Sequence, residues 1–156
     1  MATEDLTRAL DDAGVTYELL AHAHTESAAA EAEALGLAAA DVAKTLVLTT
    51  PEGYTRAVIP ADCRIDTHKL RDLLGAGKKQ VHLASEDDLR RDYPDFDLGA
   101  VPPLGGARHD PVLVDQRVAD RDAIVLEAGS HEQSVRLAPA DLVRAANARV
   151  ADLCQD

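Results

Sequence analysis

The chain has 156 residues, which suits one compact domain, and 46% of them are hydrophobic, enough for a sizeable core. Sixteen basic against 28 acidic side chains leave a net charge of −12, which opposes binding to DNA and non-specific binding to nucleic acid generally. Three Tyr, one Phe and no Trp leave little for a base-stacking platform and make the core aliphatic.

The acidity is uneven. Residues 1–42 carry one basic and nine acidic side chains, residues 43–81 seven and four, and residues 82–156 eight and fifteen. The central section is therefore locally positive, either as a solvated helix face or as a surface turned to phosphate. Cys63 and Cys154 stand far apart, with no CxxC or Cys/His ligand spacing, so neither a metal site nor a cofactor is expected. The first five residues are acidic and lack an apolar signal core, and no apolar run is long enough to span a bilayer. The expectation is a reduced, cytoplasmic protein with no membrane partner.

In chain order, Thr3 can cap a first helix whose apolar stripe is Leu6, Ala9, Leu10 and Ala13, stopped by Gly14. Residues 15–20 read as a strand, and residues 26–35 as an alanine-rich helix ended by Gly36. After a helical turn over residues 38–42 comes an apolar, partly β-branched run, Thr45, Leu46, Val47, Leu48, with Lys44 at its mouth. Residues 45–50 and 54–59 flank Pro51, Glu52 and Gly53, a hairpin signature. Asp66 caps a helix closed by Gly75, residues 80–84 form a short strand, and Ser85 with Asp88 makes a capping box. Residues 93–109 are irregular, yet Phe96, Leu98, Val101 and Leu104 argue for burial rather than disorder. Residues 112–118 and 123–128 read as a strand pair and residues 134–138 as a further strand. Pro139 opens a last helix with an apolar face of Leu142, Val143, Ala146, Val150 and Leu153. The order predicts a single α/β domain over residues 1–156, a central mixed β-sheet flanked by helices.

No GxSxG elbow and no phosphate-binding GxxxxGK[ST] occurs. Residues 75–79 read as a helix stop followed by two surface lysines, and Cys63 beside Arg64 as an idle thiol. Three other features stand out. Lys44 either points to water or reaches into a site. The loop Gly99, Ala100, Val101, Pro102, Pro103 combines a permissive glycine with stiffening prolines, and is either a plain connection or a rigid source of backbone N–H donors. His131 after Gly129 and Ser130 is either a solvated turn residue or a proton carrier.

Together these residues resemble the YbaK and prolyl-tRNA synthetase-associated editing domain family. The similarity rests on Val42-Ala43-Lys44-Thr45-Leu46-Val47-Leu48, on residues 99–103 as the family's GxxxP loop, and on Glu127-Ala128-Gly129-Ser130-His131-Glu132 followed by Ser134-Val135-Arg136-Leu137. It runs from about Tyr17 to Leu153. The resemblance implies a YbaK-like fold and a free-standing hydrolase that cleaves the ester joining a wrong amino acid to the tRNA 3′ end, often on tRNA for proline. It implies that Lys44 engages the terminal nucleotide, and that the loop from Gly99 to Pro103 positions the aminoacyl group. His131 matches a histidine of the alanine-editing branches that the cysteine-removing branch lacks, which favours Ala over Cys as the amino acid.

The chemistry is compatible. Ester hydrolysis needs a positioned carbonyl and donors for the oxyanion, worth roughly 3–4 kcal/mol, and a reactive aminoacyl ester needs no activated Ser or Cys. The expected catalytic set is Lys44, Gly99, Pro103 and His131, with His131 the candidate base. Substrate contacts fall to Thr45, Ala100, Val101, Pro102, Gly129 and Ser130, and tRNA phosphate contacts to Arg56 and Lys69. The expected partners are the aminoacyl-tRNA acceptor end and a synthetase. A non-catalytic module that binds aminoacyl-tRNA or a synthetase is the alternative, and a hydrolase of another small ester is a third reading.

Overall fold

Two sheets meet side by side in a computed structural model, which describes residues 2–77 and 79–156. The described elements are, in order, α1 (Ala2–Asp12), β1 (Tyr17–Ala21), α2 (Ala28–Leu35), a 3-10 turn (Ala39–Asp41), β2 (Ala43–Thr50), β3 (Gly53–Pro60), α3 (Thr67–Leu74), β4 (His82–Leu83), α4 (Glu86–Asp92), β5 (Val112–Asp115), α5 (Gln116–Ala119), β6 (Ile124–Ser130), β7 (Gln133–Leu137), α6 (Pro139–Ala146) and β8 (Arg149–Ala151). The larger sheet has the order β4-β2-β3-β5-β8 and is mixed: β2 is antiparallel to β3 and β4, while β5 runs parallel to β3 and β8. The smaller is an antiparallel β1-β7-β6. An isolated parallel bridge, Val42 to Val125, joins the two.

Alternation along the strands explains the core. On β6, Ile124, Leu126 and Ala128 pack with Leu6 and Leu10 of α1, Val58 of β3, Val112 and Val114 of β5 and Leu142 of α6. The opposite face of β3 and β5 buries Ala57, Ile59 and Leu113 with Leu48, Leu70 and Leu153. The core is aliphatic, as so few aromatic residues require. Helix ends follow their local chemistry. The Ser27 hydroxyl accepts the Ala30 N–H at the start of α2, and Gly36 ends it at φ 68°. Asp66 caps α3 through the N–H groups of His68 and Lys69, and Ser85 with Asp88 forms the capping box of α4.

Several boundaries differ from the sequence expectation. Thr3 lies inside α1 rather than capping it, β1 begins at Tyr17, and α2 begins at Ala28. The strand expected over residues 112–118 stops at Asp115, whose carboxylate accepts the Arg117 N–H and starts α5. Its neighbours are β3 and β8, so it does not pair with β6. The last helix stops at Ala146 because Asn147 turns left-handed at φ 49°. Residues 149–151 then add β8 to the sheet, leaving Val150 44% exposed while Leu153 is fully buried. Val150 and Leu153 fit a helical period by coincidence.

The long loop is anchored rather than loose. Tyr93, Phe96 and Val101 pack on Val47 of β2, and the Tyr93 hydroxyl donates to Asp110.

Candidate active site

The mouth of β2, the start of α2 and the long loop enclose a cavity of about 300 Å³. Its walls are residues 27–29, 43–46, 61 and 99–101, with Glu127 of β6. Strand geometry places Lys44 there: it pairs with Ile59 near the end of the β2–β3 ladder, where the half-buried side chain leaves the sheet for the cavity. Among the described residues Lys44 makes no ion pair or side-chain hydrogen bond. Thr45, Gly99, Ala100 and Val101 share the cavity with it. Ala28, Ala29, Ala43, Ala61 and Ala100 keep it narrow.

Gly99 adopts φ 83°, a conformation that disfavours a side chain. The Ala100 N–H closes a turn onto Asp97 O at 2.9 Å, whereas the N–H groups of Gly99 and Val101 donate to no acceptor among the described residues. Pro102 and Pro103 lie behind the cavity wall. The Pro102 carbonyl points at Arg56, and Pro103 lines a separate, wide depression of about 1110 Å³ beside α1 and β3.

Arg56 does not face tRNA phosphate. It is 1% exposed, and its guanidinium donates to the carbonyls of Pro102 (2.9 Å), Gly105 (3.3 Å) and Arg108 (3.3 Å). It also lies 5.1 Å from the Tyr93 ring centre and 3.8 Å from the Asp110 carboxylate. β3 alternation turns it inward, where it props the loop from beneath. Lys69 is likewise committed: its ammonium donates to Asp152 (2.9 Å), Asp156 (3.1 Å) and the Cys154 carbonyl (2.7 Å). These partners fasten the C-terminal segment to α3, so neither cation is available to an acceptor stem.

His131 is 5% exposed and is not part of the cavity wall. Its Nε2 lies 2.7 Å from the Leu98 carbonyl, and its backbone N–H donates to Asp97 at 3.1 Å. It braces the loop one residue before Gly99. Gly129 accepts the Asp97 N–H at 2.9 Å and Ser130 accepts the Glu132 N–H, so both shape the β6–β7 turn outside the cavity wall.

The acid on the wall is Glu127, a residue the motif reading passed over. Its side chain is 11% exposed, and Oε2 lies 3.0 Å from His131 Nδ1. That approach is too oblique for a good hydrogen bond, and neither atom has another partner among the described residues. Burial first, then the charges of Glu31, Asp97 and Glu26, push the Glu127 carboxyl up to about 8. Glu31, on α2, is wholly buried and is likewise raised by burial. It accepts from the Ser134 hydroxyl, whose oxygen lies 2.8 Å from His22 Nε2, tying α2 to β7 behind the cavity. One signal for Glu127 was present in the sequence: it shares a strand face with apolar Val125, an unusual place for an acid with no water to meet. Among the described residues no group of three or more His, Cys, Asp and Glu side chains is arranged to hold a metal ion, and no helix is long and apolar enough to cross a membrane.

The chain is similar to known proteins in sequence and in fold. It is 28% identical over 128 residues to a candidate Cys-tRNA(Pro)/Cys-tRNA(Cys) deacylase, EbsC of Enterococcus faecalis, spanning 81% of this chain and 76% of the relative. A crystal structure of a candidate trans-editing enzyme for prolyl tRNA synthetase superposes with a TM-score of 0.88 at 23% identity, covering 99% of this chain and 98% of the other. The crystal structure of hypothetical protein APE2540 superposes equally well, with a TM-score of 0.88 at 26% identity over 97% of this chain and all of the other. The family model for the aminoacyl-tRNA editing domain matches residues 22–145, from the His22 loop into α6 and across every wall of the cavity, and the chain belongs to that family.

Proposed function

We propose that the protein is a trans-editing aminoacyl-tRNA deacylase that hydrolyses the ester of a misacylated tRNA-Pro carrying a small amino acid, Ala before Cys. The observation that carries this reading is Lys44, a cation with no ion-pair partner among the described residues, on a narrow cavity that residues 99–101 also line. The ammonium holds the charged end of the acceptor strand. The uncommitted N–H groups of Gly99 and Val101 are the donors for the carbonyl oxygen as it becomes an oxyanion, and such donors contribute roughly 3–4 kcal/mol. Water is the nucleophile, since no Ser or Cys thiol stands on the wall except Ser27, whose hydroxyl is occupied as a helix cap.

The alanine-lined walls favour a small side chain. One methylene separates substrates by only ~1–3 kcal/mol in such a pocket, so Ala and Cys esters compete. The Enterococcus faecalis relative supports Cys as the second reading. A synthetase is the proposed partner for tRNA delivery, because Arg56 and Lys69 supply no basic surface of their own. The test is deacylation of tRNA-Pro charged with Ala, Cys, Ser or Pro, by the wild type and by Lys44→Ala. Lysine-dependent loss of Ala or Cys, with Pro spared, is expected. Binding without turnover of any of them would replace the enzyme by a binding module.

A further inference from the structure

The site contains a proton carrier other than the histidine its motif suggests. His131 Nε2 lies 2.7 Å from the carbonyl oxygen of Leu98, which can only accept, so that nitrogen bears hydrogen. In a neutral ring Nδ1 is then a bare lone pair, and it faces Glu127 Oε2 at 3.0 Å. Two bare acceptors at that distance repel, so beside a neutral ring Glu127 holds a proton at rest. Oε2 is sealed from water, and Glu127 lines the cavity that His131 does not reach. The residue's exposed edge is therefore Oε1.

Resting on the deacylase reading, we propose that Glu127 is a catalytic residue, the general base and then general acid of the hydrolysis, with His131 as its positioning partner. Glu127 acts as the carboxylate, the form it reaches as pH rises through about 8. Oε1 takes a proton from water while the water oxygen bonds to the ester carbonyl carbon, whose π pair moves to the oxygen as an oxyanion. The oxyanion re-forms the carbonyl, the bond to the ribose oxygen breaks, and Oε1 returns its proton to that oxygen. One ester and one water become one acid and one alcohol, and the pair regains its starting proton count.

The groups facing Glu127 are Glu31 from α2, Asp97 and Glu26 from the flanking loops and His131 from the turn, with Lys44 on the same cavity. The acids and burial hold the Glu127 carboxyl near 8, a value suited to proton exchange around neutrality.

The experiment is single-turnover deacylation of the best misacylated tRNA between pH 6 and 9, with the wild type, Glu127→Gln and Glu127→Ala. The wild-type rate should rise with pH and level off. Glu127→Gln should lose roughly 10²–10⁴-fold in rate at unchanged KM and lose that pH dependence. Added formate should restore part of the rate to Glu127→Ala but not to Glu127→Gln. A Glu127→Gln rate within about threefold of wild type overturns the assignment. So does a defect confined to KM, which would make Glu127 a binder of the substrate's ammonium group. A wild-type rate flat from pH 6 to 9 overturns it without any variant. A wild type that deacylates nothing refutes the function itself, a result distinct from an active enzyme indifferent to Glu127.

Discussion

Glu127 should write its proton into the stability of the fold. In the unfolded chain a glutamate loses its proton near ~4.3. In the folded protein Glu127 keeps its proton until the carboxyl ionises at about 8. Taken alone, a carboxyl raised this far contributes stability that is fully present below its unfolded value and is lost as pH rises through the folded one. From ~4.3 to ~8 the folded state holds one proton more, and each pH unit costs ~1.4 kcal/mol, so the stretch from pH 6.5 to ~8 costs about 2 kcal/mol. Glu127→Gln removes the ionisation while keeping the shape. Urea unfolding of both proteins at pH 6.5 and pH 9 isolates the effect, because other groups titrate alike in each. The stability difference should move by about 2 kcal/mol in favour of the variant at the higher pH. A difference that does not change with pH would refute the raised carboxyl.

Other substitutions probe the supports of the site. Arg56→Lys should destabilise by about 3–5 kcal/mol in urea unfolding, because a compact ammonium cannot span the carbonyls that the two arms of the guanidinium fork reach and stays buried beside Asp110. Gly99→Ala should cost about 1–2 kcal/mol from its φ of 83° alone, since a Cβ there meets only His131 Cε1 at 3.7 Å; deacylation should fall by more than the lost folded fraction explains. Gly105→Ala should be worse, because the added carbon would stand 2.8 Å from the Asp5 carbonyl oxygen in the backbone of α1; a fall in thermal midpoint of several degrees measures it. Native protein should react with Ellman's reagent at Cys63 only and at two thiols in denaturant, because Cys154 is fully buried and burial pushes its thiol up.

Local signals in the sequence were read well where the chemistry is local. Asp66 with Gly75, and Ser85 with Asp88, mark helices because their side chains and backbone act within four residues. Helix period misled at Val150 and Leu153, since Asn147 adopts a left-handed turn that only neighbouring strands reward. Lys44 and residues 99–101 were legible through their motifs and do meet at one cavity. Arg56 was not. Its charge suggested phosphate, but alternation on a strand covered on both faces sends it inward, and its partners lie 46–52 residues away. Glu127 was missed and His131 preferred for a similar reason: whether the strand residue or the turn residue four places on sees the cavity depends on how β6 packs against α2.

The Val42–Val125 bridge has a consequence for how such a site changes over time. Lys44 belongs to one sheet and Glu127 to the other, and the sheets share this isolated bridge rather than a continuous ladder. The distance across the cavity is thus set by side chains in the seam, among them Val42, Ala32 and Val125, and not by backbone register. Substituting a seam residue by one methylene larger or smaller widens or narrows the gap while each sheet keeps its own hydrogen bonds. Amino-acid preference can then drift by small apolar steps without replacing the lysine, the loop or the acid.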